Sequence, residues 1–308
     1  MVTMTAKKIT FKDTYNTDIT VHYWIPTGKP IGIMFLIHGI TEHGLCNEPF
    51  TTKLVKENYI VYSIDHRGHG ETSSETGLGT LGATHHFSIL VENVNQAKAI
   101  ILKNHPNLPL YVLGHSMGSF IAQAAVQADS NHIKALLISG TTYEPKPLLL
   151  LGKKVVKFFK LLHGFEGKSL LFKLIVFAPY ILKFIPFRTP ADWICSDETV
   201  VDNYLNDPLC NFVPSVAFLN ALFDLLLTIY TDENIQRVPS HLPLYFFSGL
   251  DDPLSKNGKA IKKVVSLYKK NGHQNIQVHL YKSSRHKILQ EKNKEEVYQD
   301  IFNWLKRV

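Results

Sequence analysis

Cysteine is scarce in this chain of 308 residues: Cys46, Cys195 and Cys210 are the whole supply, widely spaced and without a C-x-x-C pair. That excludes a disulfide-stapled scaffold and any zinc or redox motif written in sequence spacing, and it points to a reducing, cytoplasmic setting. Long apolar runs are also missing. The richest stretch, Leu170 to Ile185, is broken by Lys173, Pro179 and Lys183, so nothing reaches the roughly 18 residues of a membrane-spanning helix. The polar opening, Met1 to Thr14, has no apolar centre of the kind a secretory signal needs. Repeats and low-complexity tracts are lacking, which excludes solenoids and arrays. With 45% hydrophobic and only 19% charged residues, the chain is far from disordered compositions.

What is present is a basic balance and an ordered succession of runs. The formal charge of +7 suits anionic membranes, anionic substrates or nucleic acid. No nucleic-acid motif accompanies it, so no such partner is expected. Lys8–Phe11 and Ile19–Trp24 alternate like an antiparallel pair. Ile31–Ile37, Ile60–Ile64, Leu110–Leu113, Ala135–Ile138 and Leu244–Phe247 are almost continuously apolar, as strands buried on both faces are. Ile276–Tyr281 reads as a further strand. Helical segments fall between them at Pro49–Glu57, Phe87–Lys103, Gly118–Ala128, Gly258–Lys270 and Lys294–Lys306, with His85 and His86 at the entrance to the second. The alternation predicts an α/β fold with a mostly parallel sheet flanked by helices. One interval breaks the rhythm: 143–235 has no good strand and reads as several helices, an insertion over a core made of 1–142 and 236–308.

The chemistry sits at strand ends. After the strand Tyr111–Leu113 comes Gly114-His115-Ser116-Met117-Gly118, followed by a helical pattern. Gly-x-Ser-x-Gly in that context is a nucleophile elbow, in which Ser116 takes a strained conformation and the two glycines let strand and helix approach. A serine hydroxyl needs a base, and the base needs an orienting carboxylate, in the chain order Ser, acid, His. Leu244–Ser248 runs into Gly249-Leu250-Asp251-Asp252-Pro253. Asp252 is preferred to Asp251 because the proline after it fixes an extended turn. His286 follows the last strand on a loop on the same side of the sheet, whereas His279 lies inside that strand and His273 precedes it. The oxyanion donors expected are the Met117 N–H and, from the loop His38-Gly39-Ile40-Thr41-Glu42-His43, the Ile40 N–H. Glu42 and His43 are expected to support that loop. A zinc site from His38, His43, His66 and His69 fits no standard ligand spacing, and Cys46 reads as a small buried filler.

Taken together, the His38–His43 loop, Asp65-His66-Arg67-Gly68-His69-Gly70, Gly114–Gly118, Gly249–Pro253 and Ser284-Arg285-His286 resemble the monoacylglycerol lipase and lysophospholipase branch of the α/β-hydrolases. The similarity runs from the first strands to the last helix, but the insertion carries none of the motifs. The resemblance implies an eight-stranded sheet, a helical cap between strands six and seven, and hydrolysis of single-chain lipid esters with no metal or cofactor. A short-chain esterase, thioesterase or acyltransferase would use the same triad, and a silent binding protein on this fold would dispense with it. Haloalkane and epoxide hydrolysis on the same scaffold use an aspartate nucleophile, against which Ser116 argues. The Asp65–Gly70 segment is expected to brace loops.

The cap is strongly polarised. Pro145–Pro190 carries nine Lys or Arg against Glu166 alone, and Ala191–Ile235 carries eight acidic residues and no Lys or Arg. Lys153, Lys157 and Lys160 share one helical face, with Val155, Phe158, Phe159 and Leu162 on another. Two readings stand: a cap helix packed through that apolar face with its lysines solvated, or a peripheral membrane contact with lysines at anionic headgroups. The acidic half would then face away from the bilayer, or the two halves pair with each other.

Overall fold

The computed structural model describes residues 5–82, 84 and 86–308. Met1–Met4 and His85 therefore lie outside the described residues. Eight strands form one sheet: β1 (Lys7–Lys12), β2 (Asp18–Trp24), β3 (Gly32–Ile37), β4 (Tyr59–Ile64), β5 (Leu110–His115), β6 (Ile133–Ser139), β7 (Leu244–Gly249) and β8 (Ile276–Tyr281). The order is β1-β2-β4-β3-β5-β6-β7-β8. The β1–β2 and β2–β4 pairs are antiparallel and every later pair is parallel.

The helices are α1 (Glu48–Lys56), α2 (Ser73–Thr76), α3 (Ser88–Asn104), α4 (Met117–Ala128), α5 (Lys146–His163), α6 (Leu170–Leu182), α7 (Glu198–Asn206), α8 (Val216–Thr228), α9 (Asp232–Gln236), α10 (Lys259–Lys270) and α11 (Lys294–Leu305). Along β3 every side chain is buried, because both faces of the sheet are covered. Ile33, Phe35 and Ile37 join a core with α3, α4 and α10, and Met34 and Leu36 join one with α1 and α11. At roughly 1.5–3 kcal/mol for each large apolar side chain taken out of water, these two layers dominate the cohesion of the fold.

The order in which parallel strands are added reverses between β3 and β5: β4 lies on one side of β3, and β5 to β8 are added outward on the other. Loops leaving the carboxyl ends of β3 and β5 splay apart there, which is where open parallel sheets leave a crevice. Helices α5 to α9 lie between β6 and β7 in the chain. Helices α5 and α8 pack on each other through Val156, Phe159, Val216 and Leu219.

Candidate active site

The turn from β5 into α4 puts Ser116 at φ 55° and ψ −123°, a left-handed conformation that costs a non-glycine residue about 1–3 kcal/mol. The surroundings hold it there. Ser116 N–H donates to Ser139 O at 2.9 Å, and Ser116 O accepts from Ser119 N–H at 2.8 Å and Ser119 Oγ at 2.6 Å. The flanking glycines are required by contact: a Cβ on Gly114 would stand 2.3 Å from Gly118 O, and one on Gly118 would stand 2.0 Å from Ile37 O.

His286 reaches the same place from the loop after β8. Its Nδ1 lies 3.0 Å from Asp252 Oδ2. Asp252, fully buried, also accepts from Ser248 Oγ at 2.9 Å and from Leu254 N–H at 2.9 Å. A carboxylate so satisfied can hold an imidazole with Nδ1–H donating and Nε2 facing outward. Asp251 is exposed; its N–H donates to Ser284 O, and its own carbonyl accepts from Lys183. The His286 ring lies between those of His115, with centroids 4.7 Å apart, and Trp193 of the cap, 5.1 Å away.

Ser116 and His286 line one cavity of about 470 Å³, together with Gly39, Ile40 and Met117. Its far walls are apolar and come mostly from the cap: Leu149, Leu174, Phe177, Trp193, Leu219 and Phe223 are among them. The N–H groups of Ile40 and Met117 donate to no other protein group among the described residues. They are therefore available to an anion formed at the serine.

The family described as serine aminopeptidase, S33, matches residues 28–293. The chain belongs to that α/β-hydrolase family. Monoglyceride lipase from Homo sapiens is 28% identical over 187 residues, which is 61% of this chain and 55% of the relative. Monoacylglycerol lipase from Mycolicibacterium smegmatis is 24% identical over 99% of both chains. Among solved structures, a thermostable carboxyl esterase from Bacillus coagulans superposes with a TM-score of 0.90 at 25% identity, covering 99% of each chain. A soluble variant of monoglyceride lipase from Saccharomyces cerevisiae gives 0.78 at 19% identity, covering 100% of this chain and 96% of that one. The relatives and solved structures that the chain resembles thus include several named as lipases or esterases.

Other residues of the chain stabilise the loop after β3. Glu42 accepts from Gly39 N–H at 3.0 Å and from Lys287 Nζ at 2.8 Å, both side chains being about 6% exposed. Burial pushes Glu42 up, but the Lys287 ammonium and nearby imidazoles outweigh it and hold the carboxyl below its ordinary range. His38 donates from Nδ1 to Gly39 O at 2.8 Å and accepts from His66 N–H on Nε2 at 3.2 Å. His69 likewise donates to Arg67 O and accepts from Thr41 N–H at 3.3 Å. Both rings must be neutral to accept in this way, and burial, reinforced by neighbouring histidines, pushes each down to about 3. Arg67 is fully buried and bonds Asp13, Thr17 and Leu81 O. The Asp65–Gly70 segment thus braces loops.

His43 ties the same loop to the cap. Beyond Thr41, whose φ is 58°, its ring leaves the serine cavity and bonds Asp207 of the cap at 2.9 Å. Sequence reading passed over Lys287, which sits beside His286 with no motif to mark it, and Ser248, a plain strand residue that buttresses Asp252. Arg285, within the Ser284–His286 motif, bonds the Asp192 and Cys195 carbonyls and so ties the loop of His286 to the cap.

Proposed function

We propose that the chain hydrolyses carboxylic esters of single-acyl-chain lipids, such as monoacylglycerols or lysophospholipids, through an acyl-enzyme. Ser116 Oγ attacks the ester carbonyl as His286 Nε2 takes its proton, and Asp252 stabilises the imidazolium. The tetrahedral oxyanion is received by the Ile40 and Met117 N–H groups. His286 then protonates the leaving alcohol and activates water to release the fatty acid.

The observation that carries this reading is the cavity: a polar floor at Ser116 beneath apolar walls suits one carboxylic ester attached to one hydrocarbon chain. No metal or cofactor has a part in the sequence of steps. Short-chain ester hydrolysis is the second reading, favoured by the solved carboxyl esterase at TM-score 0.90.

Delivery of such lipids is proposed to occur at a membrane surface. Among the described residues no helix is long and apolar enough to cross a membrane. The cap nevertheless exposes Phe158, Leu161, Leu162, Leu170, Leu171 and Ile185. In α5, Leu149, Val156 and Phe159 are buried, while Phe158 and Leu162 are exposed beside Lys154 and Lys157. Lys153 instead pairs with Asp224 at 2.6 Å and Arg188 with Asp202 at 2.7 Å, joining the basic and acidic parts of the cap.

The test is fatty-acid release from monoacylglycerols of several chain lengths, lysophosphatidylcholine, a diacylglycerol and short p-nitrophenyl esters, by the wild type and Ser116→Ala. Serine-dependent release peaking on long single-chain lipids is expected. Release confined to short esters would transfer the assignment to the second reading, and activity persisting in Ser116→Ala would remove the nucleophile.

A further inference from the structure

A second concavity, of about 300 Å³, opens between the loop after β3 and the cap. Two thiols from distant parts of the chain meet in it: Cys46, just before α1, and Cys210, between α7 and α8, are 164 positions apart with Sγ atoms 3.6 Å from each other. The His43 ring completes a set whose ligand atoms all lie within 4.8 Å of one another. None of the three lines the serine cavity.

Several features make this set more than two adjacent thiols. Sulfurs about 2.3 Å from a tetrahedral zinc stand roughly 3.7 Å apart, close to the separation already present. His43 bonds Asp207 Oδ2 through Nε2 at 2.9 Å and accepts from Leu45 N–H on Nδ1 at 3.3 Å. With Nε2 donating to Asp207, Nδ1 carries the ring's lone pair, which the long Leu45 N–H contact occupies and a bound ion would take over. A carboxylate on the far nitrogen is the outer support that metal-binding imidazoles use. His43 N–H donates to Cys46 Sγ at 3.3 Å, which favours the thiolate. Lys287 in the wall is already paired with Glu42.

We propose that His43 Nδ1, Cys46 Sγ and Cys210 Sγ form a three-ligand site for Zn²⁺, supported by Asp207 and completed by water from the concavity. Binding displaces the two thiol protons to solvent and forms two Zn–S bonds and one Zn–N bond, with no change of oxidation state. The site spans two parts of the chain. Asn211, next to Cys210, donates its N–H to Thr41 O at 3.2 Å, so a bound ion fastens this cap turn to the loop that presents Ile40.

The experiment uses the full chain, stripped with chelator, kept reduced with a phosphine, and dialysed against zinc chloride. Atomic emission is expected to find about one zinc per chain in the wild type and in Cys195→Ser, and under about a tenth of that in Cys46→Ser and Cys210→Ser. Cobalt(II) in the wild type should give a thiolate charge-transfer band, a readout that needs no variant to fold. Zinc retained equally by Cys210→Ser, or a reduced wild type that keeps no zinc and shows no cobalt band, overturns the proposal.

Discussion

Asp252 and Asp251 are adjacent acids with opposite circumstances, one buried against His286 and the other exposed with its side chain in solvent. Asp252→Asn should lower kcat by about 10⁴-fold, because an amide facing Nδ1 favours the wrong imidazole tautomer. Asp251→Asn should leave kcat within about twofold, and equal losses in the two variants would contradict the assignment. A different economy governs Glu42 and Lys287. Removing the ammonium by Lys287→Met leaves a buried carboxylate unpaired and should cost about 3–5 kcal/mol of stability in urea unfolding. Adding Glu42→Gln to that variant should restore part of the loss, whereas additive losses would show that the pair is not coupled. That Asp252 rather than Asp251 meets His286 was legible from Pro253 and strand position; Lys287 was not, because a partner 245 positions from Glu42 leaves no local trace.

At the scale of elements, strands were the most readable. Burial on both faces turns a parallel strand into a continuous apolar run, so β3, β4, β5, β6 and β7 stood out; the ends of β5 and β7 then located Ser116 and Asp252, while His286 follows β8, an edge strand only partly buried. Helix α5 was harder. One helical period cannot distinguish an apolar residue that packs on α8 from one that faces outward, and α5 carries both kinds, Phe159 being buried and Phe158 exposed. The cysteine cluster was invisible for a related reason: its members share no sequence interval. If the outward set serves a lipid surface, Phe158→Asp combined with Leu161→Asp should reduce co-sedimentation with phosphatidylserine-containing vesicles several-fold, while hydrolysis of a short soluble ester stays within about twofold. Unchanged sedimentation would return those residues to the role of ordinary cap surface.

For the molecule as a whole, the buried imidazoles around the active-site loops set a pH limit. Burial, reinforced by neighbouring imidazoles, pushes His38, His66 and His69 down to about 3 and His115 down to about 4. In the unfolded chain each would titrate near 6.5. Below that value the unfolded chain binds protons that these four rings refuse in the folded chain, so their share of the stability is fully present above about pH 6.5 and falls steadily toward the folded values. Each ring removes about 1.4 kcal/mol per pH unit, and four together on the order of 5 kcal/mol per unit, comparable with the total stability of a domain. The depressed carboxyls of Glu42 and Asp65 act in the same direction, but only at pH values near and below their unfolded range, around 4. The urea midpoint should therefore collapse between pH 6.5 and 5, before those carboxylates begin to protonate. His66 is the ring to test, since neither of its nitrogens has a hydrogen-bond partner among the described residues. His66→Phe removes a titrating group without removing a ring bond, and should make the midpoint fall less steeply with pH, by about a quarter. A slope identical to wild type would mean that His66 does not resist protonation in the folded chain, and that the acid limit arises from other groups.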